Sequence, residues 1–156
     1  MGSNLDTAIS ELKQSFLNIS ASVIENVKIS SDILINKDGK EINVVRENDH
    51  EIDKKEILLE EACIQIIAMY QPKGQTLRFL IAMIKVNNDL ERISDLAVNM
   101  AKSVKTLSQY KSDELFLLND MVTKVISMLE NSIDSLLNLD SKKQCIFAGL
   151  MKKLIY

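Results

Sequence analysis

Two pairs of carboxylates stand four residues apart in this chain. Asp49 and Asp53 lie in "NDHEID", and Glu91 and Asp95 lie in "NNDLERISDLAVN", which also holds Asp89, Arg92 and Asn99. On an α-helix, residues i and i+4 stand one above the other, and like charges so placed repel by about 0.2–0.5 kcal/mol. A hard cation between them turns that repulsion into binding, and Mg²⁺, Mn²⁺ and iron all accept oxygen donors. Asp49, Asp53, Glu56 and Glu60 follow i, i+4, i+7 and i+11, so they share one ridge beside an apolar stripe of Ile52, Leu59, Cys63 and Ile66. Acids at the edge of a core stripe border the groove to a neighbouring helix. His50 can add a nitrogen ligand, but a lone histidine on a polar face is more simply solvated, and it is not counted. The competing reading is an ordinary wet face, with Lys54, Lys55, Lys85 and Arg92 paired to these acids. Spacing alone does not choose between the two.

Other chemistry has little to stand on. The chain has one histidine and four glycines, and no Glu-x-x-His, P-loop, Ser-His-Asp or glycine-rich dinucleotide signature. A net charge of −3 with both signs interspersed, no tryptophan and 4% aromatics give no footprint for nucleic acid. No apolar run approaches the roughly 20 residues of a membrane span, so a cytoplasmic protein without membrane insertion is expected. Cys63, inside an apolar helical run, reads as a reduced core thiol, and it forms no pair motif with Cys145.

The acids need helices to carry them. With 156 residues, 46% hydrophobic, one proline and few glycines, the chain fits a few long helices around one sizeable core. Apolar positions recur at helical spacing from Leu5 to Asn36, through Ala8, Ile9, Leu12, Phe16, Ile19, Val23 and Val27. "NKDGK" breaks that helix. A second runs from Glu41 to Tyr70, where "QPKGQT" stops it, and Thr76 is placed to cap a third from Leu77 to Leu107. A fourth spans Asp113 to Leu139. The fold class is all-α: an elongated up-down three-helix bundle with an additional fourth helix. On a wheel, the third helix buries Phe79, Val86, Leu90, Ile93, Ala97 and Val104. Lys85, Asn88, Asp89, Arg92, Asp95 and Asn99 then lie opposite, with Glu91 at the margin.

The stretch from Glu60 to Val104, with "NDHEID" before it, resembles the PhoU family. A Gln-Pro turn stands at Gln71-Pro72, followed by Leu77-Arg78, Lys85, Asp-Leu-Glu-Arg-Ile-x-Asp from Asp89 to Asp95, and Asn99-Met100-Ala101. The resemblance implies two tandem three-helix bundles that bind metal through Glu/Asp-x-x-x-Asp motifs. Here those motifs are Asp49-x-x-x-Asp53 and Glu91-x-x-x-Asp95, with Asp89 adjacent. It also implies a negative regulator of the phosphate-starvation response, set between a phosphate-transporter ATPase and a phosphate-sensing histidine kinase. Ser94 stands where the family usually has glycine, a small-for-small change expected to matter little.

A weak repeat, "DILINKD" at 32–38 and "DSLLNLD" at 134–140, sets an offset of 102 residues. By that offset the second acidic pair falls on Met151 and Ile155 and is missing. Residues 1–108 are therefore expected to form the first bundle. Residues 109–156 are expected to hold the first helix of an incomplete second repeat, with an atypical tail after Lys143. The fourth helix shows an apolar stripe of Met121, Val125, Met128, Leu129, Ser132, Leu136 and Leu139. With no following helices to cover it, that stripe is expected either to fold back on the first bundle or to pair with a second copy, and a homodimer is favoured because three helices already satisfy one another. Two further readings stand beside regulation: a structural dimerising remnant, and a carboxylate-metal enzyme, which the lack of catalytic histidines disfavours.

Overall fold

The computed structural model describes residues 2–107 and 116–138. Helix α1 spans Gly2–Asn36, α2 Ile42–Tyr70, α3 Gly74–Lys102, the short α4 Val104–Leu107, and α5 Phe116–Leu137. A 3-10 turn at Gly39–Glu41 leads into α2. The expected all-α architecture is therefore the observed one.

Each long helix carries a seam with alternating spacings of three and four. On α1 the seam residues are Leu12, Phe16, Ile19, Val23, Asn26, Ser30 and Ile33, all buried. On α3 they are Leu80, Met83, Asn87, Leu90, Ser94, Ala97 and Ala101. On α2, Val45, Asp49, Ile52, Leu59, Cys63 and Ile66 keep the same rhythm. Such a heptad seam lets side chains of one helix fill holes on its neighbours, and short connections make successive helices antiparallel. The buried face of α3 is thus rotated from the expected one. Val86 and Ile93 are only partly buried flanks, whereas Asn87 and Ser94 sit fully inside. Polarity misled the wheel, because both side chains are buried with hydrogen-bond partners.

The turns rest on single residues. Lys37 (φ 54°) and Gln71 (φ 46°) adopt the left-handed conformation that ends a helix, and the Gln71 N–H donates to Ile67 O at 3.0 Å. Asp38 caps the 3-10 turn by accepting from the Lys40 N–H at 3.1 Å. Helix α3 starts at Gly74 (φ 62°), two residues before Thr76, and Lys73 holds the N-cap position without a side-chain bond. The third helix also breaks earlier than expected. The Ser103 hydroxyl donates to Asn99 O at 2.9 Å, and such back-bonding by serine bends a helix.

Helix α5 folds back along α1. Leu129, Ile133 and Leu136 enter the core that holds Leu12, Phe16 and Phe79, and Val122 packs with Val27 and Ala97. Lys13 Nζ donates to Leu137 O at 3.1 Å, tying the end of α5 to the first half of α1. Met121 and Val125, expected on the buried stripe, are 60% and 39% exposed instead. The expected ends of this helix, Asp113 and Leu139, lie outside the described residues, as do Cys145 and the tail after Lys143. Of the stripe expected to call for a second copy, Leu129 and Leu136 are covered within the chain, while Met121 and Val125 stay exposed.

Candidate functional site

Two hydrogen-bonded layers set α2 against α3. In the first, the Ser94 hydroxyl donates to Asp49 Oδ1 at 2.7 Å. In the second, Asn87 Nδ2 donates to Glu56 O at 2.9 Å and to Glu56 Oε1 at 3.0 Å. Seven residues forward on α2 are seven residues back on α3, which is an antiparallel register. Rotating the Asn88 amide so that its nitrogen faces α2 would let it donate to Glu56 Oε1 at 2.9 Å.

This register brings the two i, i+4 pairs into one groove. Asp49 is buried at 8% exposure, while Asp53 and Glu91 are half-buried and Asp95 is exposed at the rim. Their charges act on one another. The Asp53 carboxyl is held above its usual range, by burial first and then by the charges of Asp49 and Asp95, with His50 opposing. Glu91 is also raised, by burial first and then by Asp95, Asp53 and Asp49, with Arg92 opposing. Glu56 is raised by burial, then by Glu60, Glu91 and Asp53. These are the causes expected for carboxylates that share a groove and whose charges His50 and Arg92 only partly offset.

The wet-face reading needs lysine or arginine on these acids. Lys54 instead pairs with Glu51 at 2.6 Å. Among the described residues, the nearest ion-pair partner for the cluster is His50, whose Nδ1 stands 4.0 Å from Asp53. His50 is itself well exposed.

The sequence-expected ligands do not all gather. Asp49, Asp53, Glu91 and Asp95 come together; Asp89 is exposed and lies two residues before Glu91, about 200° round the helix. Glu56 joins the groove through its electrostatic coupling, and the ridge spacing already pointed to it. The donor set is all oxygen, which suits a hard cation. Among the described residues, however, no three His, Cys, Asp or Glu side chains converge as a ready-made coordination sphere. Closing one requires side-chain rotation of Asp53, Glu91 and Asp95, which their exposure permits. A groove of about 720 Å³ between α1 and α2, lined by Leu12, Ile19, Leu58, Ile66 and Met69, shares no residue with this cluster. No helix among the described residues is long and apolar enough to cross a membrane.

Comparison with known proteins places this architecture. The PhoU domain pattern matches residues 16–104. The chain is 29% identical over 125 residues to the phosphate-specific transport system accessory protein PhoU homolog of Deinococcus radiodurans, covering 80% of this chain and 59% of that one. It is 31% identical over 109 residues to the protein of the same description from Streptococcus pneumoniae, covering 70% and 50% respectively. The crystal structure of the phosphate transport system regulatory protein PhoU from Streptococcus pneumoniae superposes with a TM-score of 0.84 at 26% identity, over 96% of this chain and 70% of that one. The chain belongs to the PhoU family. It spans about half the length of the curated relatives it matches.

Proposed function

We propose that this chain is a non-catalytic regulator of phosphate homeostasis. It works in the cytoplasm, restrains phosphate uptake and the phosphate-starvation response, and contacts the phosphate-transporter ATPase and a phosphate-sensing histidine kinase. The family match over residues 16–104 carries this reading, since the relatives are described as accessory proteins of phosphate-specific transport. In the same reading the α2/α3 groove takes a hard cation, Mg²⁺, Mn²⁺ or iron. Asp53, Glu91 and Asp95 would hold it, with Asp49 at the floor. When bound, the cation supplies the positive charge that four mutually repelling carboxylates lack, and it fixes α2 against α3 near Asp53 and Glu91.

The test is capture of the transporter ATPase and the sensor kinase by the full chain, with and without Mn²⁺, beside calorimetry of Mn²⁺ binding. Asp53→Ala and Asp95→Ala should each weaken Mn²⁺ binding while the helical signal persists. Unchanged affinity in both variants would remove the metal from the reading. Failure to capture either partner under both conditions would remove the regulatory contact.

A further inference from the structure

We infer that a basic pocket at the Gly39 end of the bundle binds an inorganic anion with two phosphoryl groups, of the pyrophosphate class. The inference is independent of the metal reading, since the pocket shares no residue with the α2/α3 groove. The cavity, about 500 Å³, lies between the 3-10 turn, the start of α2 and the junction of α3 with α4. Gly39, Ile42, Asn43, Arg46, Lys102 and Lys105 line it. Three of these are cations and none is an acid, in a chain whose net charge is −3.

A small core holds the cations in place. Arg46, Lys102 and Lys105 directly follow Val45, Ala101 and Val104, which are buried together with Ile33, Leu34 and Val98. Ile42 packs on the same cluster. Gly39 closes the turn against it, where a Cβ would stand 3.1 Å from Ile42 Cδ1 and 3.6 Å from Val104 Cγ1. Packing thus fixes the backbone beside each cation, while the three residues themselves stay exposed. The acids nearby do not neutralise them. Asp38 is taken by Lys40 at 3.0 Å, and among the described residues no ion pair joins Glu41 or Glu47 to Arg46 or Lys102. A lysine in the last turn of α3 suits the negative end of that helix, which accounts for Lys102 alone. Arg46 stands early in α2, toward the end where the helix dipole disfavours a cation. Like charges around one cavity repel, and an anion between them turns the repulsion into attraction.

The lining selects the anion. A planar guanidinium takes phosphoryl oxygens in pairs, lysines act as point charges, and the Asn43 amide offers further N–H donors. One phosphate group carries about 1.5–2 negative charges at pH 7, fewer than three cations call for, and the cavity is larger than a single tetrahedral group needs. No aromatic ring lines it, so a nucleobase finds no stacking face. The fit is to free diphosphate rather than to a nucleotide that carries one.

The test is calorimetry of the full chain with sodium pyrophosphate in chelator-treated buffer at about 0.15 M salt, with orthophosphate and ADP titrated separately. Pyrophosphate should bind about tenfold or more tighter than orthophosphate, and ADP no tighter than pyrophosphate. Arg46→Gln and Lys102→Gln should each weaken pyrophosphate binding by about 10–100-fold, the range for hydrogen bonds to charged groups, with the helical signal retained. Arg78→Gln removes one exposed charge at the far end of α3 and should leave the affinity within about twofold. The backbone amides of Gly39 and Asn43 should shift on titration. No binding at millimolar pyrophosphate would overturn the inference, as would affinity unchanged in both pocket variants. An equal loss in Arg78→Gln would reduce the effect to net charge and overturn it too. Orthophosphate as tight as pyrophosphate, or ADP tighter, would overturn the diphosphate assignment.

Discussion

The fold-back of α5 makes a quantitative demand on Ile133. Its side chain is 7% exposed and belongs to the core that holds Leu12, Phe16 and Phe79. Truncating a buried isoleucine to alanine removes its transfer free energy and leaves a cavity, at a cost of about 2–5 kcal/mol. For a chain of this size, that corresponds to a melting midpoint lower by about 6–15 °C. Met121, on the same helix but 60% exposed, offers the matched control, and Met121→Ala should stay within about 0.5 kcal/mol. Urea titration followed by circular dichroism measures both, and light scattering at tens of micromolar gives the mass of each variant. If α5 instead turned its Met121 face inward, the order of the two effects would reverse. A loss below about half a kcal/mol for Ile133→Ala would refute the packing of α5 on α1.

Leu90, fully buried on the α3 seam, should cost about 2–5 kcal/mol when cut to alanine, read by the same urea titration. Gly74 sits at φ 62° with open space where a Cβ would stand, so Gly74→Ala should lose about 1 kcal/mol from backbone strain alone, with no clash to add to it. The Cys63 thiol, pushed up to about 11 by burial first and by Glu60 second, should resist a thiol reagent at neutral pH until the chain is unfolded in guanidinium. Glu91, held above its usual range, binds a proton in the folded chain before the unfolded chain does. Its contribution to stability is present below the unfolded value of roughly 4.3 and is lost as pH rises through the raised folded one. Glu91→Gln should therefore melt higher than the natural sequence near neutral pH without metal and show little difference at about pH 4, and a lower midpoint near neutrality would reverse that sign.

The helices were legible because their punctuation is local. Gln71-Pro72 and the Asp38-Gly39 turn stop the periodic segments wherever the chain is read, and the structure keeps those breaks. The seams are less legible, because apolarity marks burial only where no hydrogen-bond partner awaits a polar side chain. Asn26, Asn87, Ser94 and Asp49 are buried on heptad positions, and their hydrogen bonds become visible only once α1, α2 and α3 are side by side. The acid pairs were found by their i, i+4 spacing, which is a property of one helix. That they face one groove depends on the pairing of α2 with α3, a non-local fact. Which face of α5 packs is non-local for the same reason: a wheel gives the width of an apolar stripe, but only the neighbour decides which edge of it is covered.

The two hydrogen-bonded layers between α2 and α3 also bear on how the bundle avoids folding wrongly. Heptad seams made largely of aliphatic residues can slide past one another by seven residues at little loss of packing. Sliding α3 one way would set Ala101 against Asp49, and sliding it the other way would set Leu80 against Glu56, judged from the present pairs of Ser94 with Asp49 and Asn87 with Glu56. Either slip leaves an inward carboxylate facing a side chain with no proton to give, at a cost of at least about 1–3 kcal/mol. The polar residues thus act as a key that one alignment accepts, and a variant with both layers made aliphatic would gain freedom among registers even where it gained stability.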